Sequence, residues 1–70
     1  MDDVGLHFAR RLKQLRKRHG LTQERLAELA EISEKHVQRL ESSHPCGVRL
    51  VTLERIAKAF DVSLSELLKF

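Results

Sequence analysis

The chain reads as a single all-α domain of about five short helices. Three observations carry that reading. Apolar residues recur at spacings of three and four, the period of an amphipathic helix. Aromatic residues are scarce, with three Phe and no Tyr or Trp, so Leu, Ile, Val and Ala must build the core. Helix-capping residues and one loop holding the only Pro divide the chain into segments of helical length. At 70 residues the chain is expected to be one domain, 1–70, with no linker, repeat or low-complexity segment. A domain this small buries only about 60% of its unfolded surface, so its stability margin is thin.

The first helix is predicted over Leu6–Arg18, where Phe8, Leu12 and Leu15 share a face. Lys17 and Arg18 suit the negative end of the helix dipole, and Gly20 suits the position after the helix where φ is positive. The second starts at Thr22, an N-cap, with Glu24 near the positive helix end and a core face of Leu26, Leu29 and Ala30. "SSHPCGVRL" (42–50) reads as a loop. After it, Thr52 is read as the cap of a helix carrying Leu53, Ile56, Ala57 and Phe60. Ser63 and Glu66 have capping-box spacing and open a last short helix.

The third helix is hidden in "AELAEISEKHVQRLE" (27–41), which has no Gly or Pro and looks continuous. A single helix would put Ser33 on the stripe of Leu26, Ala30, Val37 and Leu40, and would point Ile32 elsewhere. A break at Glu31–Ile32 makes Ser33 an N-cap and Ile32 an apolar plug before it, and buries Leu29, Ile32, Val37 and Leu40 together. Burying one such side chain contributes roughly 1.5–3 kcal/mol, which outweighs a strained turn residue costing about 1 kcal/mol. Two helices joined by a tight turn, with one helix before and two after, is the geometry of a helix-turn-helix DNA reader spanning about 22–42.

Charge qualifies this reading. The net charge is +3, divided as +4 over residues 1–20, −2 over 21–42 and +1 over 43–70. The basic first helix suits an anionic partner such as nucleic acid, although a solvated helix face has the same composition. The acidic middle argues the other way, so phosphate attraction has to come from other segments. Cys46 is the single cysteine, which excludes an intramolecular disulfide and fits a reducing compartment. The N-terminus is too charged for a signal peptide, and no apolar run approaches the ~20 residues of a membrane span. A soluble cytoplasmic protein with no membrane partner is therefore expected. His7, His19, His36 and His44 have no partners at i+3 or i+4, and Cys46 stands apart, so neither a metal site nor another cofactor is expected. No phosphate-binding Gly loop or catalytic triad is evident, and an enzyme is not expected.

"LTQERLAELAEISEKHVQRLE" (21–41) resembles the helix-turn-helix of the Cro/phage-repressor (Xre-like) transcriptional regulators, and "TLERIAKAFDVSLSELL" (52–68) resembles that family's fourth and fifth helices. The matching features are Thr22–Gln23, the Leu26–Ala27 pair, Ile32, Ser33, Val37 and Glu41, and the resemblance covers residues 6–68. Each motif alone is weak, whereas together, in order and at these spacings, they are specific. The family usually has Gly where this chain has Glu31 and Ser43, and the following loop is one residue longer here.

The resemblance implies a compact five-helix lambda-repressor-like DNA-binding domain that binds operator half-sites of double-stranded DNA as a homodimer. By resemblance, Ser33, Glu34, Lys35 and Arg39 meet base edges, with Gln38 beside them. Lys or Arg donates to guanine, and Glu accepts from the cytosine amine; for each, the competing reading is a solvated polar face. Gln23 resembles the family's phosphate clamp at a helix start that also includes Thr22. Arg10, His36, Ser43, His44 and Arg49 extend the candidate phosphate contacts. Arg16 and Glu41 correspond to positions that the family pairs in a partly buried salt bridge. Val62, Leu64, Leu67, Leu68 and Phe70 crowd the last nine residues; some must close the core over Phe60, and the rest form either a dimer surface or a fraying apolar end. With no sensor domain evident, control falls to protein level or to a partner such as a toxin or polymerase. The alternative function is a protein-interaction module, or an antitoxin-type partner-binding protein, on the same scaffold.

Overall fold

The computed structural model describes residues 4–42 and 48–69, and all regular structure among them is helical. In order the helices are α1 (Val4–Arg18), α2 (Gln23–Ala30), α3 (Glu34–Leu40), α4 (Leu50–Ala59) and α5 (Leu64–Leu67). The core is aliphatic with two aromatics: Phe8, Leu12 and Leu15 of α1 meet Leu26, Ala27 and Ala30 of α2, Val37 and Leu40 of α3, Ile56 and Ala57 of α4, then Phe60 and Leu67. Each helix brings one stripe to this cluster, as expected where most helical stability comes from a packed apolar face.

Three connections between helices use one device. At the ends of α1, α2 and α4 a residue in the left-handed region is followed by an apolar residue and then by a hydroxyl residue. The triplets are Gly20–Leu21–Thr22, Glu31–Ile32–Ser33 and Asp61–Val62–Ser63, with φ of 67°, 59° and 56° at their first residues. In each, the first residue's N–H bonds back to the carbonyl three residues earlier (Lys17, Glu28 and Lys58). The second residue's N–H reaches the carbonyl five earlier (Arg16, Ala27 and Ala57), all at 3.0 Å. This is the Schellman arrangement, which satisfies carbonyls that the helix leaves open. The second residue, Leu21, Ile32 or Val62, packs against the core. The third caps the next helix: Thr22, Ser33 and Ser63 accept from the backbone N–H of Arg25, His36 and Glu66, each at 3.0 Å. The break predicted at Glu31–Ile32 is therefore present, with Glu31 itself as the left-handed residue.

Four expectations are corrected. The first helix begins at Val4, not Leu6. Leu29 is 41% exposed and not part of the core. At about 100° per residue, Leu26, Ala30 and Ala27 span one sector of α2, and Leu29 lies about 60° outside its edge. Thr52 does not cap α4: the helix starts two residues earlier, after Arg49, and Thr52 is buried on the same side as Ile56. Leu67 is completely buried and closes the core within one chain, so it is not available to a dimer surface. Ser43, His44, Cys46 and Phe70 lie outside the described residues.

Candidate nucleic-acid interface

α3 is held by two completely buried side chains, Val37 and Leu40. They fix its rotation, and helix periodicity then assigns every other position. Measured around the axis from Glu34, Gln38 falls at about 40°, Lys35 at about 100° and Arg39 at about 140°, while Leu40 and Val37 fall at about 240° and 300°. Four of the five side chains expected to read bases, Glu34, Lys35, Gln38 and Arg39, thus form one face opposite the buried pair, and all four are exposed. None of them makes a side-chain hydrogen bond or ion pair among the described residues. His36 sits at the border and is half-buried. Ser33 is exposed but its hydroxyl oxygen is committed to the His36 N–H. With its side chains a helix is about 10–12 Å across, which fits a major groove about 12 Å wide.

A polar network joins α3 to the two preceding helices. Arg16 of α1 donates from Nε and Nη2 to the two carboxylate oxygens of Glu41, at 2.7 and 3.1 Å. Its Nη1 donates to the Leu21 carbonyl at 2.8 Å. The pair is nearly dry, with side chains 12% and 4% exposed. Gln23, the first residue of α2, donates its amide N–H to Glu41 Oε1 at 3.2 Å. A carboxylate only accepts, so this contact orients the Gln23 amide and leaves it a second N–H and a carbonyl oxygen. Gln23 and Thr22 lie together at the start of α2.

Arg10 and Arg49 are exposed, on α1 and just before α4. Neither is joined to the helix-turn-helix by a hydrogen bond or ion pair among the described residues. Three long-range contacts had no signal in the sequence. Arg55 of α4 donates to the Glu31 carbonyl at 3.3 Å and braces the turn between α2 and α3. Arg11 of α1 donates to the Glu66 carbonyl at 2.9 Å, and its guanidinium stands 3.7 Å from the Glu66 carboxylate, which ties α5 to α1. His19 lies against Phe60 with ring centroids 5.0 Å apart. These pairs are 24 to 55 residues apart or depend on the placement of α4, which no local pattern encodes.

The acidic balance of residues 21–42 is smaller in three dimensions than along the chain. Glu41 is neutralised by Arg16 from outside the segment, and Glu28 pairs with Arg25 at 3.2 Å inside it. The charges left facing solvent are Glu24, Glu31 and Glu34 against Lys35 and Arg39. Among the described residues no cluster of His, Cys, Asp and Glu is arranged to hold a metal ion, and no helix is long and apolar enough to cross a membrane.

Comparison with known proteins agrees with this geometry. Residues 11–70 match the Cro/C1-type HTH DNA-binding domain. The chain is 33% identical over 66 residues to the HTH-type transcriptional regulator PuuR of Escherichia coli (strain K12), covering 94% of this chain and 35% of that protein. It is 36% identical over 62 residues to the competence pilus inhibition repressor of Acinetobacter baylyi, covering 89% of this chain and 56% of that protein. The chain thus spans about a third to a half of these two relatives. The crystal structure of the restriction-modification controller protein C.AhdI from Aeromonas hydrophila superposes with a TM-score of 0.84 at 35% identity, covering 90% of this chain and 94% of that one. With the domain match over most of the chain and the fold in agreement, the chain belongs to the Cro/C1-type helix-turn-helix family of DNA-binding transcriptional regulators.

Proposed function

We propose that this protein is a cytoplasmic regulator that binds operator half-sites as a homodimer, and that occupancy blocks or recruits polymerase. The observation that carries the reading is the face of α3, where Glu34, Gln38, Lys35 and Arg39 stand opposite Val37 and Leu40, unpaired among the described residues. Lys35 and Arg39 donate to guanine edges, while Ser33, Glu34 and Gln38 complete the base-reading set. Thr22, Gln23, Arg10, Arg49 and His36 position the duplex through its phosphates, together with Ser43 and His44 of the loop.

The size of the domain supports dimeric binding. It measures 33 × 24 × 22 Å and carries one recognition helix, whereas half-sites of this class repeat at about 34 Å. Two copies are needed to occupy two half-sites. Val62, Leu64 and Leu68, with Phe70, are the candidate contact surface, of which Leu68 is the most exposed described member at 37%.

Footprinting on the DNA upstream of the protein's own gene tests this. A protected pair of half-sites is expected, with affinity falling steeply as salt rises. Lys35→Ala and Arg39→Ala should each weaken specific binding by about 1–3 kcal/mol, roughly 5- to 150-fold. If no duplex from that region binds at low salt and the two substitutions change nothing, DNA reading by α3 is wrong.

A further inference from the structure

We propose that Glu34 sets operator choice by exclusion: it requires a cytosine at one position of each half-site and lowers affinity for every other sequence. The inference rests on the DNA-reading role of α3 argued above. Glu34 is the first residue of α3, exposed on the same face as Gln38 and Lys35. Three other carboxylates of the fold have a guanidinium partner: Glu28 has Arg25, Glu41 has Arg16 and Glu66 has Arg11. Glu34, like Glu24, Glu31, Glu54 and Asp61, has none among the described residues, but it alone of these stands on the presented face of α3 with Lys35 and Arg39. Its carboxylate is therefore not spent within the chain. Its Cβ also points from the same face as Lys35 and Arg39, because Val37 and Leu40 are locked in the core and hold the helix in one rotation.

An ionised carboxylate only accepts hydrogen bonds. In the major groove guanine offers two acceptors, thymine one acceptor and a methyl group, and adenine an acceptor beside its amine. Cytosine alone offers an amine donor with no acceptor next to it. Against any other base Glu34 loses its water without gaining a full partner, and it remains a negative charge among phosphates. Its contribution is thus discrimination, while affinity comes from the basic groups elsewhere. Replacement by Gln keeps the shape but supplies one donor and one acceptor, the pattern that matches adenine.

Selection of the intact wild-type chain and Glu34→Gln on a randomised duplex library reads this out, with binding to a non-cognate duplex measured in parallel. The wild type is expected to require cytosine at one position per half-site. Glu34→Gln should change that position to adenine, leave the rest of the motif intact and bind the non-cognate duplex several-fold more tightly. On a fixed operator, replacing that C·G pair with T·A should cost the wild type about 10-fold or more and cost Glu34→Ala little. A wild-type motif with no such cytosine, or one that Glu34→Gln leaves unchanged, overturns the inference while DNA reading stands. If no motif is recovered and Lys35→Ala has no effect, DNA reading falls and this inference falls with it.

Discussion

The Arg16–Glu41 contact shows how much one pair of side chains can carry in a chain of this length. Two charges that are 12% and 4% exposed offset their desolvation only because both guanidinium–carboxylate bonds form and Leu21 and Gln23 complete the set. Removing one partner strands the other. Arg16→Ala or Glu41→Ala is therefore expected to cost about 3–5 kcal/mol. A domain of this size has roughly 4–10 kcal/mol in total, so thermal melts followed by circular dichroism should show either variant largely destabilised. Melting points equal to the parent's would remove the structural role assigned to the pair. The alignment of these residues was legible from family resemblance, but the Gln23 contact was not. A glutamine at a helix start reads as a phosphate donor, and only the packing of α2 against α3 shows that one of its hydrogens already has an acceptor.

At the scale of the element, three connectors of the same design divide the chain, and they differ in how well the first residue suits its backbone. Gly20 adopts positive φ without a Cβ penalty, and Asp61 tolerates the left-handed region better than most residues do. Glu31 has neither advantage at φ 59°. The left-handed conformation costs an L-residue roughly 1–2 kcal/mol, and glycine loses about half of that gain again through chain entropy. Glu31→Gly should then stabilise the domain by up to about 1 kcal/mol, a rise in melting temperature of about 4–8 °C, and Asp61→Gly should give less. The Arg55 bond is to the Glu31 backbone and survives the change. A larger gain at Asp61 than at Glu31 would contradict the argument. The plug and the cap were visible in "EISE", because Ile32 and Ser33 have no good place in a continuous helix. The shared pattern of Gly20–Leu21–Thr22, Glu31–Ile32–Ser33 and Asp61–Val62–Ser63 was also available in the sequence as a repeated left-handed residue, apolar residue and hydroxyl. Its first position varies between Gly, Glu and Asp, and this hid the repetition.

For the whole molecule, the C-terminal apolar residues separate into two jobs. Leu67 is completely buried among α1 to α4, while Leu68 is 37% exposed beside half-buried Leu64. Leu67→Ala should cost about 2–5 kcal/mol of stability, as for other core leucines. Leu68→Glu should leave the helical signal intact and shift sedimentation toward the monomer. If Leu68→Glu sediments like the parent, α5 is not the dimer contact. Operator binding by the same variant should weaken as well, because two recognition helices would no longer be held together.

The sequence by itself determined the number and order of the helices, most of their core faces and the break that creates α3, because apolar period, caps and plugs act within a few residues of one another. It also determined which side chains α3 presents: once Val37 and Leu40 point inward, the geometry of the helix puts Glu34, Lys35, Gln38 and Arg39 outward. Only the tertiary structure decided that Leu29 stays in solvent, that Thr52 is packed inside α4 instead of capping it, and that Leu67 belongs to the core. It alone brought Arg55 to the turn, Gln23 to Glu41 and Arg11 to Glu66. Those outcomes depend on the direction from which another helix arrives, and that direction is settled by the packing of all five helices together.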